Sequence, residues 1–192
     1  MKQWMVAGLC AGLLVCAAGA AEVESLVGDG YWGLWLKPEA KWTEVGSDSV
    51  GLVGGQAGIA MNRSLYVGFG YYELASSVDF EGAGAKLGSS DLWYMGFDVG
   101  YSIKPARVLH AGLDLFVGWG ESSPRLAAGG TETSDLFVVE PGVNLLVNVT
   151  PDVEFGLGVG YRVVNGSDTD GVSDSDLGGL AGGVFLRWTE GR

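Results

Sequence analysis

Glycine and charged residues recur at every second position of long segments whose alternate positions are apolar or aromatic. Few folds can accommodate that pattern. Between 153 and 164 one set is Val153, Phe155, Leu157, Val159 and Tyr161, and the other is Glu154, Gly156, Gly158, Gly160 and Arg162. Side chains alternate between faces along a strand, so each such segment reads as a strand with one apolar face and one small or charged face. A soluble sandwich would bury the apolar face and present surface charge to water, not serial glycines. Glycine weakens a strand unless something must approach it closely. A narrow closed barrel supplies that reason. Its interior has little volume, the glycines make room for large charged side chains opposite, and the apolar set faces lipid. The alternative is a soluble calycin-like barrel or sandwich.

The pattern predicts eight strands, at about 30–43, 50–61, 65–75, 91–103, 108–120, 135–149, 153–164 and 177–189. No stretch of useful length after residue 22 has helical periodicity. Most of the predicted strands exceed the roughly 9–11 residues that span a membrane. The links after the second, fourth and sixth strands are short: Asn62-Arg63-Ser64, Lys104 to Arg107, and Thr150-Pro151-Asp152. Those after the third, fifth and seventh are long, and the link after the first is intermediate. Short turns on one side and long loops on the other are the habit of outer-membrane barrels. The fold class is therefore all-β, an eight-stranded antiparallel up-and-down transmembrane barrel. Glu73 falls on the apolar parity, which signals a bulge or the end of the membrane zone.

Composition removes several alternatives. Glycine is 34 of 192 residues, but there are only 5 prolines and the glycines have no three-residue period, which excludes collagen. The formal charge is 11 − 23 = −12, which makes nucleic acid a poor partner. The chain is too rich in apolar and aromatic side chains for acidic disorder.

The chain opens with Met1-Lys2-Gln3, continues with an almost wholly apolar run over 4–18, and offers Ala18-Gly19-Ala20 as a small-x-small cleavage site. Residues 1–20 therefore read as a signal peptide and 21–192 as the barrel domain. Both cysteines, Cys10 and Cys16, lie in the first of these segments. An exported domain without disulfides suggests a bacterial envelope protein more than a small animal secreted domain.

Tyr31-Trp32-Gly33, the block from Phe137-Val138-Val139-Glu140-Pro141-Gly142-Val143 through Asn148-Val149-Thr150, Tyr161-Arg162, and Ser173-Asp174-Ser175-Asp176-Leu177 carry a family resemblance. Over about 30–188 the chain resembles the small bacterial outer-membrane barrels grouped with the OmpA-like transmembrane domain. The resemblance implies the barrel fold, residence in the outer membrane, and contact with its lipids and its assembly machinery. Members often end in an aromatic that this machinery reads. Here Thr189-Glu190-Gly191-Arg192 follow Trp188, so either Trp188 serves or the end is altered.

The inward parity gathers Lys37, Glu39, Lys41, Asp98, Asp114, Glu140, Glu154, Arg162 and Arg187. Buried charges need partners or water, so these residues are expected to form a salt-bridge network filling the lumen. Closure of the first strand on the last is expected to bring Arg187 towards the first strand. The same residues would otherwise line a narrow pore. On the outward parity Trp42, Tyr71, Trp93 and Trp119 fall near one boundary and Trp32, Tyr101 and Trp188 near the other, as interfacial aromatics do. His110 with Asp114 on the same face, and Ser102 near the same turn, is the one arrangement that could suggest catalysis. A lumen hydrogen bond is the plainer reading, and no enzyme, cofactor or metal is expected. The oxygen ligands of 168–176 do not complete an EF-hand. The sequons at Asn62, Asn148 and Asn165 carry little meaning in a bacterial envelope protein. The expected function is a monomeric, non-enzymatic envelope-stabilising role. A small channel or uptake protein and a surface-binding protein acting through acidic outer loops are the alternatives.

Overall fold

The computed structural model describes residues 30–45, 48–75, 78–80, 85–87, 91–123, 125–126, 133–166 and 174–190. In chain order the elements are β1 Trp32–Val45, β2 Asp48–Met61, β3 Leu65–Leu74, β4 Val78–Phe80, β5 Ala85–Leu87, β6 Leu92–Ile103, β7 Leu109–Ser122, β8 Arg125–Leu126, β9 Ser134–Asn148, β10 Val153–Asn165, the short helix α1 Asp174–Leu177, and β11 Gly179–Thr189. Eight of these strands close into one antiparallel barrel in the order β1-β11-β10-β9-β7-β6-β3-β2. Every neighbour in the barrel is also the next long strand in sequence, and β11 returns to β1. Barrel strands run from 10 residues in β3 to 15 in β9, so each is long enough to cross a bilayer at the usual tilt.

The faces follow the alternation. Phe97, Val143, Leu157, Tyr161 and Leu186 lie exposed on the outside, each roughly half or more accessible, while Gln56, Asp98, Glu154 and Arg162 are almost wholly buried inside. Inward glycines sit beneath large side chains from other strands. A Cβ added at Gly142 would lie 2.8 Å from the Asp114 carboxylate, and one at Gly68 would lie 2.6 Å from the Trp35 ring. Two prolines, Pro38 and Pro141, stand inside barrel strands. Ladder pairing between β1 and β11 lapses from Leu36↔Trp188 to Glu39↔Phe185, and between β10 and β9 from Gly160↔Gly142 to Val163↔Val139. Each gap includes a proline, whose nitrogen cannot donate.

Several boundaries differ from those the alternation predicts. The ladder of β1 and β2 continues through Val45↔Asp48, so their link is residues 46–47 and not an intermediate loop. Backbone pairing carries both strands past the point where the apolar alternation ends. The connections on that side also contain structure: β4 and β5 form a hairpin, and β8, from the next long connection, pairs with β5. Segments this short give too few alternating positions to read. Glu73 is in continuous register with Val53 and Trp93, so there is no bulge. It lies one residue from the end of β3 and accepts a hydrogen bond from the Tyr71 hydroxyl at 3.0 Å. The expected signal peptide at 1–20 and most of the acidic segment at 168–176 lie outside the described residues.

The aromatic ring of Phe185 lies directly over Gly156, with ring atoms 2.1–2.7 Å from where a Cβ would stand. Gly156→Ala therefore must displace that ring, and overpacking of this kind costs about 1–3 kcal/mol. The expected result is a lower unfolding midpoint for the detergent-folded barrel; a midpoint equal to that of the parent would show that the ring moves freely.

Candidate functional site

The chemistry-bearing side chains converge in the barrel lumen, and they do so in three layers. The middle layer is built on Glu140 of β9. Lys41 Nζ of β1 donates to its Oε1 at 2.6 Å across the lumen, and Arg162 Nε of β10 donates to its Oε2 at 3.0 Å. Glu39 takes Lys37 at 3.3 Å and Lys41 at 4.0 Å, and the Tyr72 hydroxyl donates to the same carboxylate. Lys41 also stands 3.9 Å over the Tyr72 ring, and Lys37 stands 4.7 Å over Phe185. The wall beside this layer is made of Gly158, Gly160, Gly182 and Gly183, which leave a small cavity of about 20 Å³.

Asp98 and Asp114 lie in the same layer, but among the described residues neither forms an ion pair. Gln56 Nε2 donates to Asp98 Oδ1 at 3.3 Å, and Asn144 Nδ2 donates to Asp114 Oδ1. Asn144 lies diagonally across the β7–β9 ladder from Asp114, and Gln56 reaches Asp98 past the intervening β3, whereas the lysines of β1 are engaged by Glu39 and Glu140.

The layer at the short-turn end is built on Glu154 of β10, which is wholly buried. Arg187 donates to it through Nε at 2.6 Å and Nη2 at 2.5 Å. The same Nη2 donates to Ser102 Oγ at 2.9 Å, and the guanidinium lies 3.9 Å over the Tyr66 ring. Closure of β1 on β11 brings Arg187 beside β1, as expected, but its side chain pairs with β10. Glu154 stands directly opposite it on β10, whereas the register of Leu36↔Trp188 puts the like-charged Lys37 beside it on β1.

His110 is also placed here. Its Nδ1 lies 3.1 Å from the Arg107 carbonyl and its Nε2 lies 3.5 Å from Glu154 Oε1. Asp114 is engaged by Asn144 and Ser102 by Arg187, so the three residues are not assembled as a nucleophile, base and orienting acid. Among the described residues no group of three or more His, Cys, Asp or Glu could hold a metal ion.

The layer towards the long loops was not anticipated. Val50, Leu52, Tyr72, Leu74, Leu92, Tyr94, Phe116, Leu136, Val138, Val164 and Leu177 form one buried apolar cluster inside the barrel. Tyr72, Tyr94 and Phe116 are in mutual ring contact, with centroids 5.2–5.8 Å apart. Arg162 reaches up to it and lies 5.1 Å over Tyr94. The signal was present in the sequence: near these strand ends both parities are apolar, as in Leu136, Phe137, Val138 and Val139. A second small cluster, Trp35, Ala60 and Tyr66, packs at the other end.

Of the outward aromatics, Trp32, Trp42, Tyr71, Tyr101, Trp119 and Trp188 are exposed and Trp93 is half-buried. Tyr71 stacks on Trp93 at 6.2 Å, and Phe69, Phe97 and Trp119 form a contiguous aromatic patch on β3, β6 and β7.

No family model and no curated protein matches the chain. Among solved structures, the crystal structure of Neisserial surface protein A (NspA) is similar with a TM-score of 0.57 and 15% identity, covering 82% of this chain and 96% of that one. The likeness is one of fold. The Ail attachment invasion locus protein of Yersinia pestis follows at 0.47, with 11% identity and 85% and 100% coverage. A major outer membrane protein from Thermus thermophilus follows at 0.45, with 14% identity and 82% and 99% coverage.

Glu140 holds two buried cations, and its removal leaves both without that partner. Breaking a buried pair by removing one member costs about 3–5 kcal/mol. Glu140→Ala should lower the unfolding free energy of the detergent-folded barrel by that order, and Glu140→Gln, which keeps hydrogen-bonding capacity, by less. Equal midpoints for Glu140→Ala and the parent would remove the network from the account of stability.

Proposed function

We propose that the chain is an exported, non-enzymatic barrel of a bacterial outer membrane, with a sealed lumen and an envelope-stabilising role. The observation that supports it most is the inversion of polarity. Exposed large apolar residues encircle every barrel strand, while Lys37, Lys41, Glu140, Glu154, Arg162 and Arg187 are buried inside. A soluble monomer rarely exposes an apolar surface of this extent, whereas lipid requires it. Residues 1–20 would supply export, and one protein of similar fold is itself named a surface protein. Trp42, Tyr71, Trp93 and Trp119 would then mark the outer interface and Trp32, Tyr101 and Trp188 the periplasmic one, with β4, β5, β8 and α1 on the cell surface. The partners of this reading are membrane lipids and the assembly machinery, and the barrel acts as a monomer.

A channel is the lesser reading. The polar middle layer and its cavity favour it, but the apolar cluster of Leu52, Tyr72, Tyr94, Phe116 and Val138 fills the lumen above. An eight-stranded interior is only wide enough for its own side chains. Binding at the cell surface has one supporting feature, the small sheet that joins two loops through β5 and β8. Fractionation should place the processed chain in the outer membrane, with heat-modifiable migration on a gel, and the purified barrel should be silent in a planar bilayer. A soluble periplasmic chain would overturn the location, and a steady conductance sensitive to Glu140→Ala would replace the sealed lumen with a pore.

A further inference from the structure

Among the described residues, the non-glycine positions with positive φ are Asn62, Arg63 and Lys104, at 53°, 56° and 57°. Glycine takes this left-handed backbone freely and asparagine tolerates it, whereas a longer side chain is strained there. The chain has 34 glycines and only 11 lysines and arginines, yet two of these three positions hold a cation. Strained residues persist where something over-determines them, and they cluster at functional elements. Arg63 has a use inside the fold. Its guanidinium donates to the Pro151 carbonyl in the turn between β9 and β10, and lies 3.9 Å from Glu154. Lys104 has no such use: it is exposed and forms no ion pair among the described residues.

Lys104 opens the turn Lys104-Pro105-Ala106-Arg107 between β6 and β7. Proline suits the second position of a β-turn, and the Arg107 N–H closes this one on the Lys104 carbonyl at 3.0 Å. The backbone of the turn is fixed from outside itself. The Asn148 side-chain amide donates to the Pro105 and Arg107 carbonyls, both at 2.8 Å, and His110 Nδ1 lies 3.1 Å from the second of them. Arg107 is exposed, and neither it nor Asp152 in the adjoining turn forms an ion pair among the described residues. A β-turn holds its first and fourth Cα atoms within about 7 Å, so the two cationic side chains stand over one small patch. Outward-facing apolar side chains run right up to it. Ile103 directly precedes Lys104, and Val108 and Leu109 directly follow Arg107; Val108 is 70% exposed. Near the opposite ends of the strands the outward positions are acidic instead, at Glu44, Glu73, Glu121 and Asp135. Solubility alone gives no reason to sort the signs in this way.

We propose that Lys104 and Arg107 form a seat for the phosphate of an anionic lipid in the leaflet at the short-turn end, with the acyl chains lying against Tyr101, Ile103 and Leu109. This rests on the membrane reading given under the proposed function, but not on which side of the membrane the short turns face. A guanidinium takes phosphate oxygens in pairs, and an ammonium adds a compact charge beside it. The strain at Lys104 then has a reason, because glycine or asparagine would relax the turn and lose the charge. A lipid fits better than a soluble anion. Two exposed cations in water hold a free phosphate weakly, since salt screens them, whereas a lipid is kept at this depth by its own chains.

The purified barrel, reconstituted in phosphatidylcholine vesicles with a trace of phosphatidylglycerol that carries a photoreactive group beside its headgroup, reads the seat directly. Adducts mapped along the chain should concentrate at residues 101–109. One basic residue near an anionic lipid surface contributes about fivefold to local binding. Lys104→Asn, which keeps the left-handed turn, and Arg107→Gln should therefore each lower the adduct yield there about fivefold, and the double variant should lower it further. Lys104→Arg and Arg107→Lys should retain most of it. Heat-modifiable migration on a gel checks that each barrel is folded. An unchanged yield in the double variant would overturn the seat. An equal loss with a photoreactive phosphatidylcholine probe would assign the contact to the shape of the turn, and suppression by inorganic phosphate but not by chloride of matched ionic strength would assign it to a soluble anion. Each of these overturns the lipid seat and leaves the outer-membrane reading, which fractionation decides, untouched.

Discussion

The volume inside an eight-stranded barrel admits little more than one layer of side chains from its own wall. Everything else in this molecule answers to that limit. A lysine, arginine or tryptophan pointing inward occupies space that the neighbouring strand must leave empty. Gly142 lies under Asp114, Gly68 under Trp35 and Gly156 under Phe185 because each pair shares one volume. The glycine content and the charge content are thus one property. Neither could change alone without either a void or a clash.

Within that limit the three layers of the lumen solve three separate problems. Carboxylates taken from water must recover their solvation from fixed donors, and Glu140 and Glu154 each do so from two or more cationic groups. Asp98 and Asp114 recover it from amides. At the loop end the barrel needs no such exchange, because Leu52, Leu74, Leu92 and Leu136 remove apolar surface from water instead. The exterior is apolar along the middle of its strands and turns acidic only near their loop ends, at Glu44, Glu73, Glu121 and Asp135.

The strands themselves were legible because their alternation is long and both faces carry distinct residue types. Whichever face a residue of β6, β7 or β10 occupies can be read from parity alone. Legibility fails where one face stops being distinctive. Leu52, Tyr94, Phe116 and Val138 are inward, yet they are chemically like their outward neighbours, so parity gave no reason to single them out. The partner choice of Arg187 depends on register: a shift of two residues would have faced it with another group, and alternation carries no register information. Arg63 was visible only as part of a short turn, though its Nη1 donates to the Pro151 carbonyl of another turn. Its sign of φ and its reach across the mouth exist only in three dimensions. The hairpin of β4 and β5 is too short for any period to be measured.

The gap that Pro38 leaves between β1 and β11 bears on how the barrel comes together. Those two strands are the first and the last of the barrel to be synthesised, and their pairing closes the longest loop in the chain. Closing it has the highest entropic cost of any pairing here, because long-range contacts reward the chain only after the ends have met. The closing seam is also one of two at which a proline interrupts the ladder. The last contact to form is therefore one of the most lightly stitched, and the same seam is a natural place for the cylinder to part again when it unfolds.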